Sequence, residues 1–316
     1  MKRWLVIVNP HSAANRTHQL AGGVIEVLNK TEGVEVSHRF TEEQGHGTIL
    51  AREAIHEGFD AILSLGGDGT NNEVINGFFT SDGERLPGST AFGLIPSGTG
   101  GDLARNFYAV RTPLSVAESL NNWELKTLDV GRSTLSLEDG TTTTRMFVNV
   151  ASIGLTAEIG RRMTQSNKKL GGRVGYYLGF LKTVFSYPEL QLELTRDNDP
   201  PQKVHARCIA VANGAWFGGG ANIAPGAQVA DGVFDVVVIG VGRLKLLTTS
   251  PKFYSGKHLS TPGIEMVQSQ KIHIQSVHDK NMPVLVETDG EDVGQLPATF
   301  EVLPDAVPLL LPRPLP

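Results

Sequence analysis

The sequence of 316 residues holds one cysteine, Cys208. An internal disulfide is therefore excluded, and with it the disulfide-framed secreted scaffolds. Cys208 lies in HARCIAVANG, an alternating stretch that predicts a strand carrying a buried core thiol. Long apolar runs are missing as well. No segment approaches ~18 uninterrupted apolar residues, so no spanning helix is expected. The N-terminal run in MKRWLVIVNP is too short for a signal peptide, and no small-residue cleavage site follows it. A cytoplasmic protein is expected, one that meets membranes only from the side. Excess positive charge is also lacking. The net charge of -5 argues against bulk nucleic-acid binding. The nine histidines form no H-E-x-x-H pattern, and no G-x-S-x-G elbow occurs. Histidine metal sites and serine hydrolases are thereby set aside.

What is present is ordinary for a globular chain: 40% hydrophobic and 19% charged residues, enough for one large or two medium domains. Glycine (36) and proline (17) are abundant, so turns are many. The first third alternates strand and helix signals. Strands are predicted at Trp4 to Asn9, Val34 to Phe40, Asp60 to Leu65 and Thr90 to Pro96. Helices are predicted at His18 to Asn29, His46 to His56 and Asn71 to Phe79, with another starting near Asp102. This βαβαβαβ order marks a parallel sheet with helices on both faces.

After about residue 125 the pattern changes. LDVGRSTL, TTTTRMFVNVAS, ELQLELTRD, KVHARCIAVANG, GVFDVVVIG, KIHIQSV and PVLVETDG read as strands joined by turns, which predicts an antiparallel sandwich or barrel. Helix is expected between Ala157 and Tyr187, and a short one over Leu247 to His258. The domains expected are 1–127 and 128–302. The tail AVPLLLPRPLP either packs back on the first domain or hangs free.

The segment AILSLGGDGTNNEVING (Ala61 to Gly77) ends an apolar strand in a cluster that packs no core. Strand, glycine turn and helix together present backbone N–H groups to phosphate oxygens. Gly66, Gly67 and Gly69 allow a sharp turn and close approach to a ligand. Thr70, Asn71 and Asn72 can cap the helix or bind a nucleotide. Asp68 would repel phosphate unless a cation lay between, so magnesium or its water shell is the natural role. The cluster is neither G-x-x-x-x-G-K-[ST] nor G-x-G-x-x-G. A tight N-capped turn is the plain packing alternative, but it needs neither two consecutive glycines nor an acid. LIPSGTGGDLARN repeats the logic at the end of the next strand, with Ser97, Gly98 and Thr99. Adjacent strand ends of this kind form one crevice, which Thr99 and Asp102 would face.

Four segments in order, GGDGTNNEVINGF, IPSGTGGDLARN, WFGGGANIAPGAQVADGVFDVVVI and ETDGE, resemble the diacylglycerol kinase catalytic-domain family, from Trp4 to about Val302. That family includes bacterial soluble lipid kinases, sphingosine kinases and ceramide kinases. GGDGT alone is shared with NAD kinases and phosphofructokinases. The resemblance implies an α/β nucleotide-binding domain followed by a β-sandwich, with ATP in the cleft. By position it implies nucleotide contacts at Gly66 to Asn72, Asn9, Thr41 and Thr99. It also implies a proton acceptor at Glu291, with Asp289 the rival, and a structural magnesium loop at Asp231 with the carbonyls of Gln228 and Val233. Two positions depart from the family's pattern: Ala13 stands where it carries glycine, and Gly101 where it carries asparagine.

Phosphoryl transfer needs charge neutralisation and in-line positioning more than covalent help. A carboxylate in reach of the acceptor hydroxyl supplies the base. The stretch from Ile159 to Pro188 contains no acid and carries Arg161, Arg162, Lys168, Lys169, Arg173 and Lys182. Tyr176, Tyr177, Leu178, Phe180, Leu181, Val184, Phe185 and Tyr187 accompany them. Together they suit an anionic membrane surface, while core packing is the plain alternative for the aromatic part. The expectation is an ATP- and magnesium-dependent lipid kinase acting on diacylglycerol or a related lipid. Its rivals are an NAD kinase-like enzyme and a non-catalytic nucleotide- or lipid-binding regulator. Whether it forms a homodimer is left open.

Overall fold

A computed structural model describes residues 1–98, 100–109, 111–165, 181–277 and 282–313. Strands β1 (Lys2–Val8), β2 (Val34–Phe40), β3 (Ala61–Gly66) and β4 (Ala91–Pro96) form a parallel sheet in the order β4-β3-β1-β2. All six residues of β3 and all six of β4 are buried, as expected of parallel strands covered on both faces. Helices α1 (Arg16–Leu28), α2 (His46–His56) and α3 (Asp68–Asn76) connect them. Helix α1 turns Thr17, Ala21, Val24 and Leu28 inward, the three-and-four spacing of one helix face.

Two local expectations shift. Helix α3 begins at Asp68 rather than Asn71, inside the glycine cluster. An acid in the first turn is favourable at a helix N-terminus, which offsets the cost of Gly69. The helix expected near Asp102 is only a 3-10 turn, Leu103–Asn106, followed later by α4 (Pro113–Ser119).

Beyond them come β5 (Trp123–Ser136), β6 (Thr142–Phe147), β7 (Val150–Gly154) and α5 (Leu155–Gln165). Next are β8 (Leu190–Arg196), β9 (Gln202–Ala206), β10 (Cys208–Ala212), and the short pair β11 (Trp216–Phe217) and β12 (Ala221–Asn222). The chain closes with β13 (Phe234–Ile239), α6 (Arg243–Tyr254), β14 (Ile264–Ser269), β15 (Lys271–Ser276), β16 (Leu285–Thr288) and β17 (Glu291–Pro312). Nearly all pairings in this half are antiparallel. Cys208 is buried on β10, where burial pushes its thiol up to about 11.

Two clusters of buried side chains lie along the chain, one under the parallel sheet and one inside the antiparallel half. Strands β5 and β17 run through both. Leu128 and Val130 of β5 belong to the first cluster and Leu135 to the second. The end of β17 returns to the first: Val307 to Pro312 pair with Leu128 to Trp123, and Leu309 lies beside Phe92 of β4. The position expected to separate the domains, residue 127, therefore falls inside β5.

Candidate active site

Strands β3 and β4 end side by side, with Gly66 opposite Pro96, and Ser97 N donates to the Gly66 carbonyl at 2.8 Å. Their loops touch backbone to backbone: a β-carbon at Gly98 would sit 2.8 Å from the Gly67 Cα. Only glycine permits that approach. Asn9, at the end of β1, donates through Nδ2 to Thr70 Oγ1 at 3.1 Å. Ser12 lies against Gly67, and the Thr17 and Ser97 hydroxyls share a hydrogen bond. Thr41 is buried after β2, and its N–H donates to the Val8 carbonyl at 2.9 Å. Helix α3 starts without a side-chain cap, so its first N–H groups are left for another acceptor. The structure thus gathers Asn9, Gly66, Gly67, Gly69, Thr70, Ser97 and Gly98 into one cradle. Thr99 lies outside the described residues.

Within α3, Ser64 Oγ donates to Asn71 Oδ1. Asn72 turns the other way and joins the cradle to the antiparallel half. Its Nδ2 donates to the Met146 carbonyl and to Asp289 Oδ2, each at 3.0 Å. Asp289 accepts three further N–H groups, from Val148 (3.0 Å), Asn149 (2.9 Å) and Val150 (3.1 Å). Burial pushes its carboxyl up to about 6, against the pull of these four donors. Each of its two oxygens accepts two of these bonds, so its lone pairs are occupied.

Glu291 differs. Its Oε1 would lie 3.0 Å from a β-carbon at Gly69, over the first turn of α3. Its Oε2 accepts only Gln44 Nε2 at 3.2 Å among the described residues. Burial first, and then the nearby Glu73 carboxylate, hold Glu291 above the ordinary glutamate value. Glu73 is itself held by Gly45 N at 2.8 Å and Gly47 N at 2.9 Å.

Asp68 faces the second loop. Its oxygens accept the N–H groups of Asp102 (3.1 Å) and Leu103 (3.2 Å), capping the 3-10 turn. Asp102 in turn accepts Gly219 N at 2.7 Å and pairs with Arg105 at 3.2 Å. The glycine-rich segment from Trp216 to Gly226 forms a lip beside this loop and is thereby tied to the cradle. A cavity of about 1230 Å³ opens beyond Arg105 and Trp216. None of Gly66 to Asn72 lines it, so it is separate from the glycine cradle.

Asp231 stands apart. It is exposed, and its Oδ1 accepts Val233 N at 3.3 Å. The adjoining Gly232 N donates to buried Asp129 at 2.7 Å. Burial raises the Asp129 carboxyl, helped by Asp305 and Asp231, so negative charge is in surplus there. Among the described residues no group of three or more His, Cys, Asp or Glu converges as a metal site. One carboxylate with the Gln228 and Val233 carbonyls is nonetheless a donor set of hard oxygens, which fits magnesium.

Comparison with known proteins gives two matches along the chain. The family described as diacylglycerol kinase catalytic domain matches residues 3–133. That described as YegS C-terminal NAD kinase beta sandwich-like domain matches residues 149–311, more than half of the chain. The chain belongs to the diacylglycerol kinase catalytic-domain family. It is a kinase. A diacylglycerol kinase of Mycobacterium tuberculosis is 27% identical over 309 residues, covering 97% of this chain and 94% of its own. One of Bacillus subtilis is 27% identical over 320 residues, covering 99% and 97%. A crystal structure of a diacylglycerol kinase from Bacillus anthracis superposes with a TM-score of 0.70 at 22% identity, covering 99% of this chain and 97% of that one. This last likeness concerns the fold, an α/β domain built on a parallel sheet followed by a mainly antiparallel β-sandwich.

The two departures from the family pattern differ in their local consequences. Gly101 has φ +59°, a conformation that glycine and asparagine both adopt. Ala13 has φ +52° and is followed by Ala14 and Asn15, also at positive φ. Alanine there is strained where the family's glycine would not be. Gln44 and Asn76 escape the sequence reading. Asn76 binds Met146 through both ends of its amide, and its spacing of four from Asn72 is the one signal that could have found it. Gln44 carries no local signal.

Proposed function

We propose that this kinase transfers the γ-phosphate of ATP to a hydroxyl of diacylglycerol or a related lipid, with Glu291 as general base. The carrying observation is the placement of Glu291 over the first turn of α3, with Gln44 its one hydrogen-bond partner among the described residues. Asp289, saturated by four donors, acts instead to position the turn that carries Glu291. A raised carboxyl suits proton abstraction from an alcohol near neutral pH.

ATP supplies the phosphoryl group. Gly66, Gly67, Gly69 and Thr70 would hold its phosphates through backbone amides and the Thr70 hydroxyl, whereas the Asn71 side chain is taken up by Ser64 and that of Asn72 by Met146 and Asp289. Asn9, Thr41, Ser97 and Gly98 complete that lining. Magnesium would neutralise charge beside Asp68, whose carboxylate keeps lone pairs beyond its two backbone bonds. A second magnesium, with a structural role, would sit at Asp231, Gln228 and Val233. Among the described residues no helix is long and apolar enough to cross a membrane. The enzyme would work in the cytoplasm, binding the membrane from its surface.

The test is label transfer from γ-labelled ATP with magnesium. Acceptors are diacylglycerol, monoacylglycerol, sphingosine, ceramide and phosphatidylglycerol in mixed micelles, with NAD in parallel. Label on a lipid supports the proposal and names its class. Label on NAD alone, or on nothing while ATP still binds, overturns it.

A further inference from the structure

From Gly240 to Ile264 the chain carries Arg243, Lys245, Lys252 and Lys257 and no acid, on a protein of net charge -5. Helix α6 occupies most of this stretch. It buries Leu246, Thr249 and Phe253 against the antiparallel half. Its outer side is not simply polar. Leu244 is 72% exposed and Tyr254 62% exposed, the highest values after Met1 among the large apolar side chains described. The helical repeat puts Leu244, Thr248 and Pro251 in one outward row. Lys245 and Lys252 flank the row on one side, Arg243 and Tyr254 on the other.

Among the described residues, none of the four cations enters an ion pair. Arg243 donates to the Tyr187 carbonyl at 3.4 Å and Lys245 to the Pro262 carbonyl at 2.8 Å. The first contact places α6 beside the end of the other acid-free segment, where Lys182 and Phe185 are also exposed. A solvated basic face accounts for the lysines but not for Leu244 and Tyr254. Apolar side chains ringed by unpaired cations match the boundary between anionic headgroups and acyl chains.

The helix also adjoins the cleft. His258, just past it, hydrogen-bonds the Ile223 carbonyl at 2.9 Å, and a β-carbon at Gly256 would meet Pro225 at 3.1 Å. Ile223 and Pro225 form one leg of the lip whose other leg is bonded to Asp102 through Gly219. We propose that the outer face of α6, with Arg243, Leu244, Lys245, Lys252, Tyr254 and Lys257, is a docking surface for an anionic lipid bilayer. The proposal deepens the lipid-kinase reading and rests on it for its purpose, which is to bring the lip against the membrane.

The experiment reads binding rather than turnover. The full chain is sedimented with vesicles of phosphatidylcholine alone or mixed with phosphatidylglycerol. The wild type should bind the mixed vesicles, more weakly as salt rises, and bind phosphatidylcholine poorly. Lys245→Gln with Lys252→Gln should lower partitioning roughly thirtyfold. Leu244→Ser should lower it about tenfold. Unfolding midpoint and ATP binding should stay at wild-type values, which shows that the variants fold. Equal binding by wild type and variants, or no binding to mixed vesicles, overturns the proposal. Concentration-dependent self-association that Leu244→Ser abolishes, without vesicle binding, would instead make this face an interface between copies. Vesicle binding lost in the variants while no lipid accepts phosphate would leave the docking surface standing and the kinase reading fallen.

Discussion

Asn72 on α3 and Asp289, at the turn before β17, are joined by a hydrogen bond of 3.0 Å across the two halves of the molecule. The same carboxylate gathers three consecutive backbone N–H groups, Val148 to Val150. Glu291, two residues on, is thereby fixed over the glycine cradle. Asp289→Asn keeps the shape but turns an amide toward donors. It should cost about 1–3 kcal/mol, measured by denaturant unfolding. The folded carboxyl is raised from 3.8 to about 6. Its contribution to stability is therefore present below pH about 3.8 and lost as pH rises through about 6. The variant should lack that slope.

Catalytic rate should fall with pH along a limb set by Glu291, because the base acts ionised. Burial and Glu73 raise its carboxyl, so the midpoint should lie above 4.5. Gln44→Ala removes its one hydrogen-bond partner among the described residues, a contact that favours the charged form. The midpoint of the kcat profile should move further up, with ATP affinity unchanged. A pH–rate series on both proteins checks this.

Gly98→Ala places a methyl group 2.8 Å from the Gly67 Cα, so the two loops must separate. ATP affinity should drop by about tenfold or more, with a stability loss of roughly 1–3 kcal/mol from overpacking. Calorimetric titration together with thermal unfolding separates the two effects.

Ala13→Gly should stabilise the chain by about 0.5–1 kcal/mol. The left-handed conformation at φ +52° costs alanine roughly 1–2 kcal/mol, partly offset by the greater unfolded-state freedom of glycine. Chemical denaturation reads the difference directly.

The parallel sheet was legible because strands buried on both faces leave continuous apolar runs, as in β1 and β3. The start of α3 was misread because Gly69 counts against helix locally, while the position of Asp68 in the first turn favours it. The shared spine of β5 and β17 was not legible, since it depends on pairing Trp123 with Pro312 across the whole chain. The glycine loops announced themselves by composition. The different surroundings of Asp289 and Glu291 did not. The donors that saturate Asp289 are mostly backbone groups, and Gln44 meets Glu291 from 247 positions away.

The most direct test of the account is γ-phosphate transfer to diacylglycerol in mixed micelles by wild type and Glu291→Gln, with ATP binding measured on both. The account predicts labelled lipid from the wild type, a rate at least about a hundredfold lower from the variant, and equal ATP affinity. Wild-type turnover by Glu291→Gln would contradict it, because another group would then be the base.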